Sequence, residues 1–224
     1  MDLVNNFIKN LQVLFGEKRN PEQAIKNKAY MKNHFDFIGI WTADRRELTK
    51  LLLRSNPLPD LETVNKSVLL LWQMDEREYH YAGIQTLAYY HKLWQQNTIE
   101  LIEYCLVNHS WWDSVDGLNS DCVSKYFDKF PASIQIAGRW NESDNIWLQR
   151  SSIIFQKAYK GKTNRELLAK HILHLADSKE FFVRKAIGWA LREYAKVNSG
   201  WVLEFVGNHA LSPLSKREAL KHLG

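Results

Sequence analysis

The chain has 224 residues, 45% hydrophobic and 25% charged, long enough to bury a core without a disulfide or a structural metal. Its two cysteines, Cys105 and Cys122, lack C-x-x-C spacing, no basic leader with an apolar run opens the chain, and no apolar stretch approaches the ~20 residues of a bilayer span. These features exclude a disulfide scaffold and a membrane-spanning helix, and the expectation is a reduced, cytoplasmic protein. The net charge of +5 is carried at one end: residues 141–224 hold 14 Lys and Arg against 8 Asp and Glu, residues 1–140 hold 16 against 17. That asymmetry favours a polyanion bound chiefly by the C-terminal third, although a merely soluble surface can carry the same bias.

Only ten Gly and five Pro interrupt the chain, and apolar residues recur at helical spacing with no alternating β-branched run, which predicts an all-α protein. In chain order, turn or cap chemistry falls at Asn20-Pro21, Asn56-Pro57-Leu58-Pro59-Asp60, Phe130-Pro131, Ser143-Asp144-Asn145, Asp177-Ser178 and Ser212-Pro213. None of these breaks is long enough for a linker, so residues 1–224 are expected to form a single domain. A faint repeat joins Arg150-Ser151-Ser152-Ile153, Arg184-Lys185-Ala186-Ile187 and Arg217-Glu218-Ala219-Leu220, spaced 34 and 33 residues apart. That period belongs to stacked helix pairs. It predicts a curved α-solenoid of helical repeats with a concave basic face, where the repeated arginines would line one surface and follow a nucleic-acid backbone. The other reading pairs these arginines with acids of neighbouring repeats.

The segment His109-Ser110-Trp111-Trp112-Asp113-Ser114-Val115-Asp116 carries the most chemistry. On a helix, Trp111, Val115, Leu118 and Cys122 form a core stripe, while Trp112 and Asp116 fall together about 100° further round. An aromatic face beside a fixed carboxylate suits a cation. Equally, Trp112 can be a second core aromatic and Asp116 a solvated or capping acid. Asp113 reads as a residue that caps or holds the local structure.

Further on, residues 145–159 place Leu148, Ser152, Phe155 and Tyr159 on one side of a helix and Arg150 and Lys157 on the other. From Ser178 to Lys196 the buried stripe is Val183, Ile187, Ala190, Leu191 and Tyr194. Trp189 lies opposite it, within roughly 60° of Lys185, Arg192 and Lys196 and next to Phe182. A large aromatic among three cations calls for a partner, or else for a second buried interface. His171 and His174 sit three apart, but no H-E-x-x-H or Cys pair supports a metal, and no G-x-x-x-x-G-K-[ST] or G-x-G-x-x-G string cradles a nucleotide cofactor.

Over nearly its whole length the chain resembles the AlkD-type DNA alkylation repair glycosylases, built of HEAT-like repeats. The resemblance is carried by Tyr30-Met31-Lys32-Asn33-His34-Phe35, Arg45-Arg46, Ser110 to Asp116, Ser143 to Arg150, Ser178 to Phe182, Lys185 to Trp189, Leu191 to Tyr194, and Pro213 to Ala219. The last helix, ahead of Gly224, is expected to be short. The resemblance implies that Trp112, Asp116 and Trp189 form the catalytic pocket and that Arg150 holds DNA phosphate. It also implies that Tyr30, Phe181, Phe182 and Arg192 support the DNA cleft, with Lys185, Arg45, Arg46, Lys216 and Arg217 as further DNA contacts.

The implied activity is monofunctional excision of cationic N3- or N7-alkylated purines, such as 3-methyladenine and 7-methylguanine, from duplex DNA by a monomer, without base flipping and without cofactor or metal. A purine cationic at N3 or N7 leaves as a neutral base, so the demand falls on stabilising the oxocarbenium-like sugar, which a carboxylate such as Asp116 does. No Lys nucleophile is assigned, so the abasic strand is expected to stay intact. The protein would be nucleoid-associated when bound to DNA. Two alternatives stand beside this reading: a non-catalytic binder of branched or damaged DNA, and a protein–protein scaffold with Trp189 as its hot spot.

Overall fold

A computed structural model describes residues 3–223. The described residues are helical throughout, with no strand beyond an isolated bridge between Asp36 and Glu76. No helix among them is long and apolar enough to cross a membrane. They pack as two compact units, residues 3–101 and 102–223.

In the first unit the helices are α1 (Leu3–Gly16), α2 (Pro21–Tyr30), α3 (Thr42–Ser55), α4 (Leu61–Trp72) and α5 (Arg77–Tyr89). Val4, Phe7, Leu11 and Phe15 recur at i, i+3, i+4 on α1 and are buried against the α4 stripe of Val64, Val68 and Leu71. The predicted breaks act as caps. Asn20 and Asp60 accept the backbone N–H of Gln23 and Thr63, and Pro21 occupies the first helical position, where no N–H is needed. The segment between α2 and α3 is pinned by buried Glu78, whose carboxylate accepts N–H bonds from Ile38 (3.0 Å), Gly39 (2.8 Å) and Ile40 (3.3 Å). Gly39 is required there: its φ is +90° and a Cβ would lie 2.0 Å from the Asn20 carbonyl oxygen. α6 (Thr98–Val107) leads from the first unit into the second.

The second unit contains α7 (Trp112–Leu118), a π-helical turn over Asn119–Val123, then α8 (Ser124–Lys129), α9 (Gln135–Asn141), α10 (Ile146–Ile154), α11 (Arg165–His174), α12 (Phe181–Ala195), α13 (Ser199–Asn208) and α14 (Pro213–Leu220). α7, α10, α12 and α14 stand in a row, each in contact with the next. Asn145, Asn164, Asn198 and Ser212 cap α10, α11, α13 and α14, as the break at Ser143-Asp144-Asn145 and that at Ser212-Pro213 predict. The core of this unit is built from Ile153, Ile172, Val183, Ile187, Leu191, Val202 and Phe205. α10 departs from the one-sided pattern read in the sequence, because Leu148 and every residue from Arg150 to Ile154 are buried. It lies between α7, α9, α11 and α12 and has no solvent face for Arg150 to occupy.

Candidate active site

The row of helices converges on a cleft of about 320 Å³ lined by Trp112, Asp116, Arg150, Phe181, Phe182, Lys185, Trp189, Arg192 and Glu218. Position within each helix explains the convergence. Asp116, Arg150 and Lys185 are the fifth residues of α7, α10 and α12, and Glu218 is the sixth of α14. The repeated arginines read from the sequence are therefore corrected. Only Arg150 lines the cleft; Arg184 turns its Nε to the Ser178 carbonyl oxygen at 2.7 Å, and Arg217 is exposed. The line of cleft residues passes one position C-terminal to both, through Lys185 and Glu218, because α12 starts one residue later than the aligned repeat assumed and α14 presents its sixth residue.

α7 begins at Trp112, with Trp111 as its extended N-cap residue (φ −154°, ψ 164°), reached through His109 in the left-handed region (φ 50°). The core stripe holds for Val115, Leu118 and Cys122, which are fully buried. Trp111 instead leaves the stripe for an aromatic cluster with Trp147 (ring centroids 5.8 Å apart) and Phe182 (5.1 Å). Trp112 and Asp116, one helical turn apart, both face the cleft, as their shared side of the wheel requires.

Asp116 is held by a two-pronged ion pair. Arg150 Nε donates to Oδ1 at 2.8 Å and Nη2 to Oδ2 at 2.9 Å, while Nη1 donates to the Phe182 carbonyl oxygen at 2.8 Å. The Arg150 side chain is 5% exposed and that of Asp116 19% exposed. A guanidinium so enclosed is tolerated because its fork is matched by three acceptors. This is the arrangement in which a repeated arginine pairs with an acid of the neighbouring repeat. Arg150 as found here holds a carboxylate with two of its N–H donors and a backbone carbonyl with a third.

At the other side of the cleft Glu218 takes both candidate DNA-binding cations of α12. Lys185 Nζ lies 2.9 Å from Oε1 and Arg192 Nη1 2.7 Å from Oε2. The hydrogen bonds from Lys185 and Arg192 hold the Glu218 carboxyl down to about 2. α12 and α14 come this close because Gly188 has no side chain: a Cβ there would lie 2.4 Å from Glu218 Cβ and 2.8 Å from the Ser215 carbonyl oxygen. Trp189 is half-buried at the cleft, yet the cations nearest its ring come from the α10 side rather than from its own helix. Lys157 Nζ is 3.6 Å and Arg150 Cζ 5.7 Å from the ring centroid.

Phe181 and Phe182 line the cleft with ring centroids 5.3 Å apart. Lys216 is half-buried on α14 and, like Arg217, does not line the cleft. In the first unit, Tyr30 is 70% exposed at the end of α2 and Arg46 is exposed on α3. Arg45 is buried, its guanidinium 4.7 Å from the centroid of the Tyr81 ring, which corrects the expectation of a surface contact. Asp113 sits in the first turn of α7 and outside the cleft lining. His171 is buried and donates Nδ1–H to the Ser152 carbonyl oxygen at 2.8 Å, whereas His174 is exposed. No group of three or more His, Cys, Asp or Glu among the described residues is arranged to hold a metal ion.

Glu218 is the cleft residue that the sequence pattern does not reveal as a site residue, Trp147 joins the aromatic cluster beside the cleft, and Lys157 reads in sequence only as a cation opposite a packed stripe. Lys157 lies seven positions after Arg150, the spacing that returns to the same helical face, and that was its signal. Glu218 had none beyond its place beside Arg217.

The sequence pattern of the family described as DNA alkylation repair enzyme matches residues 11–223. Among solved structures, a predicted DNA alkylation repair enzyme from Enterococcus faecalis is similar at 33% identity and a TM-score of 0.87, over 92% of this chain and 97% of that one. AlkD2 from Streptococcus mutans is similar in fold at 18% identity and a TM-score of 0.65, over 89% and 98%. So is smu.31 from Streptococcus mutans UA159, at 18% identity and a TM-score of 0.64, over 80% and 92%. No curated protein matches the chain. A family pattern that spans all but the first ten residues and the last, together with a structural relative at 33% identity over nearly the full length, places this chain in the DNA alkylation repair enzyme family.

Proposed function

We propose that the chain is a monofunctional DNA glycosylase that hydrolyses the N-glycosidic bond of cationic N3- or N7-alkylated purines in duplex DNA. The observation that carries this reading is a carboxylate, Asp116, clamped through both oxygens by Arg150 in a cleft that also presents the indoles of Trp112 and Trp189. A lesion of this class departs neutral, and positive charge passes to the deoxyribose as the bond breaks. A fixed carboxylate beside C1′ gains attraction as that charge develops, so it lowers the barrier rather than the ground state. Each Asp116 oxygen keeps a lone pair beyond the one that Arg150 uses, with which it orients the attacking water. The indole faces add cation–π attraction of roughly 0.5–2 kcal/mol each, which selects charged lesions over normal bases. The cleft's cations, three against two carboxylates, suit a substrate that enters from its phosphate backbone.

The test is release of free base from duplex DNA carrying 7-methylguanine, with alkali used to reveal abasic sites. Asp116→Asn keeps the side-chain shape and is expected to lose about 100-fold or more in rate, while DNA affinity changes by no more than a few-fold. Equal release by the variant overturns the mechanism. No release by the parent, together with tight binding to branched or damaged duplex, moves the assignment to a non-catalytic DNA binder.

A further inference from the structure

Trp189 does not meet the cleft as an unoccupied aromatic. Lys157, from the turn that follows α10, sets its ammonium 3.6 Å from the centroid of the indole ring. Lys157 is absent from the lining of the cleft; it lines a small crevice with Ala190, Glu193 and Tyr194, on the α12 residues next to Trp189 and one turn beyond it. Trp189 thus borders both the cleft and the crevice from which Lys157 meets its ring. The ammonium's one hydrogen-bond partner among the described residues is Ser120 Oγ at 3.5 Å, and no carboxylate lies within ion-pair distance.

Lys157 is half-buried, and its ammonium exchanges part of its hydration for a ring face and one distant hydroxyl. The indole gains what the lysine loses, since a cation centred on one face resists the tilting of the ring plane. We infer that Lys157 is a positioning residue for the repair reaction, fixing the plane of the Trp189 indole at the edge of the cleft where the substrate meets it. The inference rests on the glycosylase reading for its effect on rate, but not for the contact itself.

The charge on Lys157 is set by groups on each element packed around it. Burial lowers its proton affinity, as does Arg150 of α10, while Asp116 of α7, Asp121 of the π-helical turn and Glu193 of α12 support the charged form; the balance leaves it below the usual lysine value. The neutral amine has no cation–π attraction. Trp189 is therefore released as pH rises through the Lys157 titration, at a lower pH than an exposed lysine would impose.

The experiment uses the full chain labelled with 5-fluorotryptophan, with the Trp189 resonance assigned by its loss in Trp189→Phe, and follows 19F shift and line width from pH 7 to 10.5. The parent is expected to show an alkaline transition at Trp189 that Lys157→Met lacks at every pH. In base release, Lys157→Met is expected to lose roughly 10-fold in kcat with DNA affinity unchanged, and Lys157→Arg, which stays charged, to recover most of the rate and to remain flat at alkaline pH. A Trp189 resonance identical in the parent and Lys157→Met across the pH range overturns the inference. So does a Lys157→Met variant with the parent's rate and pH profile. Failure of the parent to release base overturns the glycosylase reading alone, because the fluorine measurement still decides whether Lys157 holds the ring.

Discussion

Each charged residue of the cleft is defined by its partner. Arg150 gives Asp116 two parallel hydrogen bonds and a third donor to the Phe182 carbonyl, so its planar fork supplies geometry as well as charge. Lysine offers charge without the fork. Arg150→Lys is therefore expected to lower the excision rate by roughly 10-fold or more while the salt dependence of DNA binding is unaltered, as read from binding at several salt concentrations beside single-turnover rates. A variant with normal rate and a salt slope reduced by about one would instead return Arg150 to the role of phosphate ligand. Glu218 plays the corresponding part for Lys185 and Arg192, which meet DNA phosphate only in competition with a carboxylate already bound to both.

At the scale of the elements, the site depends on how closely α12 and α14 approach. Gly188 is the contact point, and the backbone of α14 at Ser215 and the Cβ of Glu218 occupy the space that any side chain would need. Neither can give way as a flexible side-chain tip would. Gly188→Ala raises helix propensity, worth up to about 1 kcal/mol, but forces the helices apart, and overpacking typically costs about 1–3 kcal/mol. Net destabilisation is expected in denaturant unfolding, together with weakened ion pairs from Lys185 and Arg192 to Glu218. A variant as stable as the parent would mean that α14 shifts without loss. The π-helical turn after α7 has a comparable role between α7 and α10. Asn119 donates to Ser151 Oγ at 2.8 Å, on the residue next to Arg150, and Ser124, the first residue of α8, donates to the Phe155 carbonyl oxygen at the end of α10.

For the whole molecule, His171 and Glu218 each contribute a decline of stability in acid. Burial and the nearby Lys170 and His174 lower the His171 proton affinity in the fold, partly offset by its bond to the Ser152 carbonyl, and Nε2 has no partner among the described residues. The unfolded chain then binds a proton that the folded chain refuses, so stability is full above about 6.5 and falls as pH drops below that value. Glu218, held down to about 2 in the fold against 4.5 as its ordinary value, adds a second decline between roughly 4.5 and 2 as its ion pairs are protonated away. Thermal unfolding midpoints are expected to drop from pH 7.5 to 5.5, and His171→Asn is expected to flatten that first step. An unchanged slope in the variant would remove His171 from the account.

Periodicity and cap chemistry were enough to establish an all-helical chain with breaks near Asn20, Asp60, Asn145 and Ser212, because helix propensity and capping are local interactions within a turn or two. The same local geometry put Trp112 beside Asp116 and Trp189 beside Lys185 and Arg192, and all five line one cleft. Tertiary structure alone decided which charges meet. Arg150 lies 34 residues from Asp116 and Glu218 26 from Arg192, and a one-residue difference in register turns a side chain about 100° round its helix. The repeat spacing left that register open, so Arg184 and Arg217 were aligned where Lys185 and Glu218 stand. Which residue of each repeat enters the cleft is set by where its helix starts and how closely its neighbour packs, and both are properties of the assembled row.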